Sequence, residues 1–392
     1  MSVAGCGKTR QPESETQLHS PDRYRELISE LLRKVRDLIP AMRARAVALD
    51  RESAFPALEF DQLRSAGALS AVIPRHLKGL GLGVDAASAP ALFDLLRLLG
   101  RGNLAIGRVF EGHVNAFKLI TLYGNEQQIQ RAADDVAAGH LFAIWNTETG
   151  EGIRLLEGAS ATLAGSKMFC SGAGYVTRAL ITAKDTTGTR MLLIPLEPGA
   201  RVEANSFNLH GMRATRTGVV TFDGIRVSSS AAIGLADDYT REPAFTAGAW
   251  RTSAVTLGGL DSLIEETQRQ LISRNRHRDP HQLSRMGQAL IARESVRLWT
   301  QRAARIAEAG AAPVAEITGY VNLSRIATES AALDIVRLVQ RTLGLAGFLQ
   351  SNPVERLMRD LAIYLRQPAP DEALTEAATW FFEHDLPEDN DD

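Results

Sequence analysis

Cysteine is nearly absent. Cys6 and Cys170 are the two in 392 residues, one in a polar tail and the other in an expected strand, so no disulfide framework can staple the chain and a reducing compartment fits. Long hydrophobic runs are missing as well. No stretch approaches the roughly 20 apolar residues that span a bilayer, and the N-terminus lacks the apolar core of a secretory signal. The expectation is a cytoplasmic protein with no membrane partner. Nor is either charge in surplus: Lys plus Arg number 44 against 46 Asp plus Glu, for a net charge of −2. No basic field exists to draw in nucleic acid or anionic lipid, which leaves a small-molecule substrate or another protein.

What is present is an apolar fraction of 45% on a chain too long for one ordinary core, so two or three packed units are expected. Residues 1–20 are polar and read as a disordered tail. Gly5-Cys6-Gly7-Lys8-Thr9 within them is only a faint phosphate loop, because the glycine that should open it would fall at Ser2 and no strand precedes it. From 21 to 140 the period is helical: Leu27, Leu31, Leu32, Val35, Leu38, Ile39 and Met42 line one face of a first helix, and Gly124-Asn125 marks a stop before a later one. From 141 to 240 the period shortens. Leu141–Trp145, Ser160–Leu163, Lys167–Ser171, Ala179–Ala183, Met191–Pro195 and Gly218–Val227 are β-branched or alternating runs between turns, an antiparallel β domain. From 241 to 382 long helical patterns return as a C-terminal four-helix bundle, and 383–392 is an acidic tail. The fold class is α+β, mostly α.

A stretch near the end concentrates the signals. Gly344 to Gly347 forms a Gly-rich turn, Pro353 starts a helix carrying Arg356, Arg359 and Asp360, and Gln367-Pro368-Ala369-Pro370 stops it. Upstream stand Ile73-Pro74 with Gly79-Leu80-Gly81-Leu82, Tyr123-Gly124-Asn125-Glu126-Gln127-Gln128, Trp145-Asn146-Thr147-Glu148, Gly165-Ser166-Lys167-Met168-Phe169 and Gly211-Met212-Arg213. In this order and spacing, residues 22–367 resemble the acyl-CoA dehydrogenase superfamily. The resemblance implies an N-terminal helical domain, a middle β domain, a C-terminal bundle, FAD in the cleft between the last two, and a homodimer or homotetramer. Carried over position by position, Trp145, Asn146 and Thr147 would line the flavin ring, with Phe169 and Ser171 on the next strand. Arg276 would reach the cofactor's pyrophosphate in a neighbouring subunit, where a guanidinium offers paired donors. Gly344 belongs to the turn that approaches the cofactor, and Arg251 falls where the family contacts substrate.

The chemistry departs from that pattern. Dehydrogenating an acyl thioester requires a carboxylate to take the α-proton, yet the family's two positions for that glutamate are occupied here by Pro368 and Trp250. The serine that helps hold the CoA portion becomes Ile153. Glu148, Glu151, Glu372 and Glu376 are the nearby carboxylates by sequence. Glu111 and His113, two apart on a helix, face different directions and are not read as an acid–base pair. His277, Asp279 and His281 are not read as a metal cluster, since Pro280 interrupts the helical register. The resemblance therefore implies first a FAD-dependent oxidoreductase acting on an acyl thioester or related acyl substrate, its electron acceptor open. The alternatives are a flavin monooxygenase or oxidase on the same fold, which needs no such base, and a non-catalytic scaffold.

Overall fold

Pro21 starts a helix at its most favourable position, and leucine, valine, isoleucine and methionine spaced by three and four carry that helix to Glu52. In the computed structural model, which describes residues 21–148, 150–156, 161–204 and 207–387, this first helix, α1 (Pro21–Glu52), buries Leu31, Val35, Ile39, Met42, Ala46 and Leu49. The expected tail at 1–20 lies outside the described residues, as does 388–392 of the acidic tail. After α2 (Ala57–Ser65), helices α3 (Ala89–Gly102) and α4 (Leu104–Tyr123) are separated by one residue. Asn103 makes that break: its side chain accepts from Ala105 N at 2.9 Å, an N-cap that starts the second helix. The Gly124-Asn125 stop works the same way. Asn125 and Gln128 exchange side-chain and backbone hydrogen bonds at 3.0 Å each, a capping box that opens α5 (Glu126–Ala137).

The middle of the chain folds into two sheets. The larger runs β3 (Thr162–Ala164), β2 (Arg154–Leu156), β5 (Arg178–Asp185), β6 (Gly188–Pro195) and β9 (Ala232–Ile233), with β1 (Phe142–Trp145) also on β5. The smaller orders β4 (Ser166–Cys170), β8 (Gly218–Thr221) and β7 (Val202–Ala204). Most ladders are antiparallel, but β1 and β2 each run parallel to β5. The reason for the first is local: β1 enters the sheet directly from the helical unit rather than through a hairpin. The expected strand to Val227 stops at Thr221, because Gly224 adopts a left-handed turn with φ of 74°.

The bundle comprises α6 (Ala244–Ala247), α7 (Ala249–Ser273), α8 (Pro280–Ala309), α9 (Val314–Leu343), α10 (Pro353–Tyr364) and α11 (Pro370–Glu383). Helix α7 is buried along most of its length and joins the two helical units. Its closeness to α3 rests on two glycines: a Cβ on Gly100 would stand 2.1 Å from the Val255 carbonyl oxygen, and one on Gly258 2.0 Å from that of Arg97. Helix α10 is clamped to the loop before β8. Arg359 donates to the His210 carbonyl at 2.6 Å and pairs with Asp50 of α1 at 2.8 Å, while the Met212 amide donates to Asp360 at 2.6 Å. Among the described residues no helix is long and apolar enough to cross a membrane.

Candidate functional site

Strand β1 delivers Trp145, Asn146 and Thr147 to the sheet's end, and an internal lysine fixes that end in place. Trp145 is buried, and its indole N–H donates to the Ser171 carbonyl at 3.1 Å. Lys167, fully enclosed, donates to the Asn146 carbonyl at 3.0 Å, to Thr182 Oγ1 at 2.7 Å and to Glu148 Oε1 at 3.2 Å. Desolvation lowers its pKa against the opposing effect of Glu148. The Thr182 hydroxyl in turn donates a hydrogen bond to Asn146 Oδ1 at 2.7 Å. The polar side chains of Asn146 and Thr147 are exposed beside this scaffold.

Phe169 is the irregular residue. The β4–β8 ladder shifts register between Lys167 and Cys170, and Phe169 sits in that bulge with φ of 53°. A bulky side chain in the left-handed region is costly, and such strain concentrates at functional sites. Its ring remains 45% exposed, tilted by 32° on Phe207 with centroids 4.5 Å apart. The two segments are joined by the Trp145 indole bond to Ser171 and by a bond from the Met168 amide to the Thr147 carbonyl at 3.0 Å, which leaves the Phe169 ring half-exposed and the Asn146 and Thr147 side chains exposed beside the buried Trp145.

Arg276 and Gly344 are brought to a different place, the far end of the bundle. Arg276 follows α7, is exposed, and pairs with Asp279 at 2.9 Å. Asp279 itself caps α8, accepting from His281 N at 2.9 Å. Gly344 ends α9 with φ 57° and ψ −146°, a conformation open essentially to glycine alone. The end of α7 is tied to the turn after α9 by Gln270, which donates to Asn352 at 2.7 Å, while Asn352 donates to the Ala346 carbonyl at 2.8 Å.

Arg251 lies in neither group. It is buried in the first turn of α7 and ion-pairs with Glu308 Oε1. Glu308 also accepts from the Trp250 indole at 3.1 Å and from Lys118 at 3.0 Å. Burial pushes the Glu308 carboxyl up, but Arg251 and Lys118 outweigh it and leave its pKa below the usual range. Arg251 continues to Asn115 Oδ1 at 2.9 Å, and Asn115 donates to Glu111 at 2.9 Å. Glu111 also accepts from Arg108, Thr252 and Tyr364, each at 3.1 Å. Burial, and then the Glu111 charge, raise the Tyr364 pKa well above its ordinary value, so the phenol remains a neutral donor.

Sequence reasoning missed this core network. Glu308 carried a signal, since an acid in the last turn of a helix opposes the macrodipole. Glu111 is the one acid of α4, weighed in the sequence only against His113. His113 is structural: its ring joins the Leu69 carbonyl at 3.0 Å and the Phe142 amide at 3.2 Å. Of the carboxylates adjacent in sequence, Glu148 pairs with Lys167 and Lys184, and Glu151 is exposed. Glu372 and Glu376 are exposed on α11.

Comparison with known proteins bears on the fold. Residues 239–365 match the acyl-CoA dehydrogenase C-terminal domain family. The "Probable FMNH2-dependent monooxygenase SfnC" of Pseudomonas putida is 26% identical over 374 residues, spanning 88% of this chain and 93% of the relative. Among solved structures, FMN-bound TdsC of Paenibacillus sp. A11-2, a dibenzothiophene monooxygenase, superposes with a TM-score of 0.80 at 20% identity, covering 91% of this chain and 98% of that one. A glutaryl-coenzyme A dehydrogenase complex superposes at 0.78 and 18% identity, covering 92% and 96%. At these identities the superpositions establish the fold.

Proposed function

We propose that this chain, a divergent member of the acyl-CoA dehydrogenase superfamily without the family's usual glutamate, is a flavin-dependent monooxygenase that takes FMN rather than the FAD its motifs first imply. The observation that carries the reading is the state of the two base positions. Trp250 is fully buried with its indole committed to Glu308, and Pro368 offers only a backbone carbonyl, which accepts from Arg325 at 3.0 Å. Neither can take an α-proton. Relatives named as FMNH2-dependent and FMN-bound support the choice of cofactor. Ile153, where the family holds CoA, is enclosed in the core, which supports a small substrate without a CoA carrier.

The residues fit a flavin. The half-exposed Phe169 ring offers a face for a flat heterocycle, and Asn146 and Thr147 offer donors and acceptors for its polar edge. Arg276 would hold a phosphate of a flavin bound in a neighbouring copy. In the turn after α9 Leu345, Phe348 and Leu349 are exposed, Leu345 by 82%, which favours a homo-oligomer that covers them. When bound and reduced, the flavin supplies the electrons by which one atom of dioxygen enters the substrate and the other leaves as water. The chain's own part would be to seat the ring against Phe169 and to meet its polar edge with Asn146 and Thr147, beside the buried Trp145.

The test is oxygen uptake by purified protein given FMN and a flavin reductase, across a panel of small sulfur and nitrogen heterocycles. Oxygenated product that requires both reduced FMN and oxygen is expected. Oxygen-independent bleaching of the bound flavin by an acyl thioester would overturn the reading and restore the dehydrogenase.

A further inference from the structure

Away from the β-strand surface, α1, α3, α7 and α10 enclose a cleft of about 670 Å³, within the roughly 300–1,000 Å³ range of small-ligand sites. Five arginines line it: Arg36, Arg43, Arg101, Arg269 and Arg356. Glu265 pairs with Arg43 at 2.8 Å and Arg101 at 2.6 Å, Glu266 pairs with Arg269, and Asp360 with Arg356 at 2.7 Å. Arg36 has no ion pair among the described residues. Five guanidiniums thus face three carboxylates, so the wall stays cationic even with Asp94, which lies within electrostatic reach of Arg36.

Two of these arginines are incompletely satisfied. Arg356 is only 7% exposed, and its Nε–H is buried with no hydrogen-bond partner; the Arg101 Nε–H is in the same position. A buried unpaired donor is costly, and a bound acceptor removes that cost. Arg356 also stands in the first turn of α10, where a cation opposes the helix dipole and an added anion would not. The rest of the wall is apolar, with Ile39, Leu98 and Leu357 buried along it. None of the residues assigned to the flavin lines this cleft.

We propose that the cleft is a second ligand site, for an amphipathic organic anion whose head pairs with Arg101 and Arg356 and whose apolar body lies on Ile39, Leu98 and Leu357. A carboxylate and a phosphate are both planar or tetrahedral oxyanions that suit paired guanidinium donors, so the head is defined by charge and shared oxygen chemistry.

Calorimetric titration of the full-length, FMN-loaded protein with octyl phosphate, octanoate and octanol tests this. One site per chain is expected for at least one of the two anions, whose ranking identifies the head, with no binding of octanol. The Arg101→Gln protein should bind that anion about tenfold or more weakly. Arg101 is half-buried at the cleft rim, so this variant keeps the fold, and circular dichroism checks that it does. Arg36→Gln provides a second, exposed variant with weakening of several-fold. Octanol binding as tightly as the anions, unchanged affinity in both variants, or release of FMN by the anion would overturn the proposal.

Discussion

Replacing His113 by glutamine should flatten the acid limb of the protein's stability curve. His113 is fully buried on α4 between Leu69 and the first residue of β1. The Phe142 amide can only donate, so Nδ1 must accept and Nε2 must carry the proton that goes to the Leu69 carbonyl. A second proton would set two donors against each other in a water-free site. Desolvation therefore dominates, and the pKa is pushed from 6.5 down to about 4. Between those values the unfolded chain binds the extra proton and the folded one does not, so stability is complete above pH 6.5 and declines as pH falls towards 4. At 1.36 kcal/mol per pH unit the whole interval is worth about 3 kcal/mol. Urea unfolding at half-unit steps from pH 7.5 to 4 measures it, followed by tryptophan fluorescence because Trp145 ends the strand that His113 anchors. The His113→Gln protein is less stable at pH 7, but its acid decline should be shallower by about 3 kcal/mol. Two parallel curves would refute the argument.

Other perturbations act on the remaining parts. Glu308→Gln strips the counter-charge from the buried Arg251 and from Lys118, and should cost about 3–5 kcal/mol at pH 7. Because the Glu308 pKa is lowered in the fold, the parent loses that advantage as pH falls through the folded value, so thermal melts of parent and variant should converge in acid; equal stability at neutral pH would contradict the pair's role. Phe169→Gly relieves a left-handed backbone worth about 1–2 kcal/mol while deleting an aromatic face. Melting temperature should hold or rise as FMN affinity falls about three- to tenfold by fluorescence quenching, and undiminished affinity would remove Phe169 from the flavin site.

The order of helices, sheets and helices was readable because long amphipathic patterns survive without tertiary help. Helix α1 reads from Leu27 onward, and the Asn125 capping box announces α5. Strands β2, β7 and β9 were not readable: two or three residues cannot establish an alternation, and their pairing comes from partners far along the chain. The segments Trp145–Thr147 and Phe169–Ser171 could be picked out in the sequence as neighbours, and the bond from the Trp145 indole to the Ser171 carbonyl joins them. The Glu111–Tyr364 link joins α4 to α10 across 253 positions, and no local pattern encodes such a meeting. Phe169 shows the same limit from another side, as its aromatic character was visible and its left-handed backbone was not.

The interlock of Gly100 against the Val255 carbonyl and Gly258 against that of Arg97 bears on how such chains can be recombined. Each contact is backbone against backbone, with no side chain able to yield. A chimera that exchanges the segment before β1 without also exchanging α7 would have to preserve both glycines and their spacing. The inheritable unit is therefore the pair of helices, although 146 residues of other structure separate them.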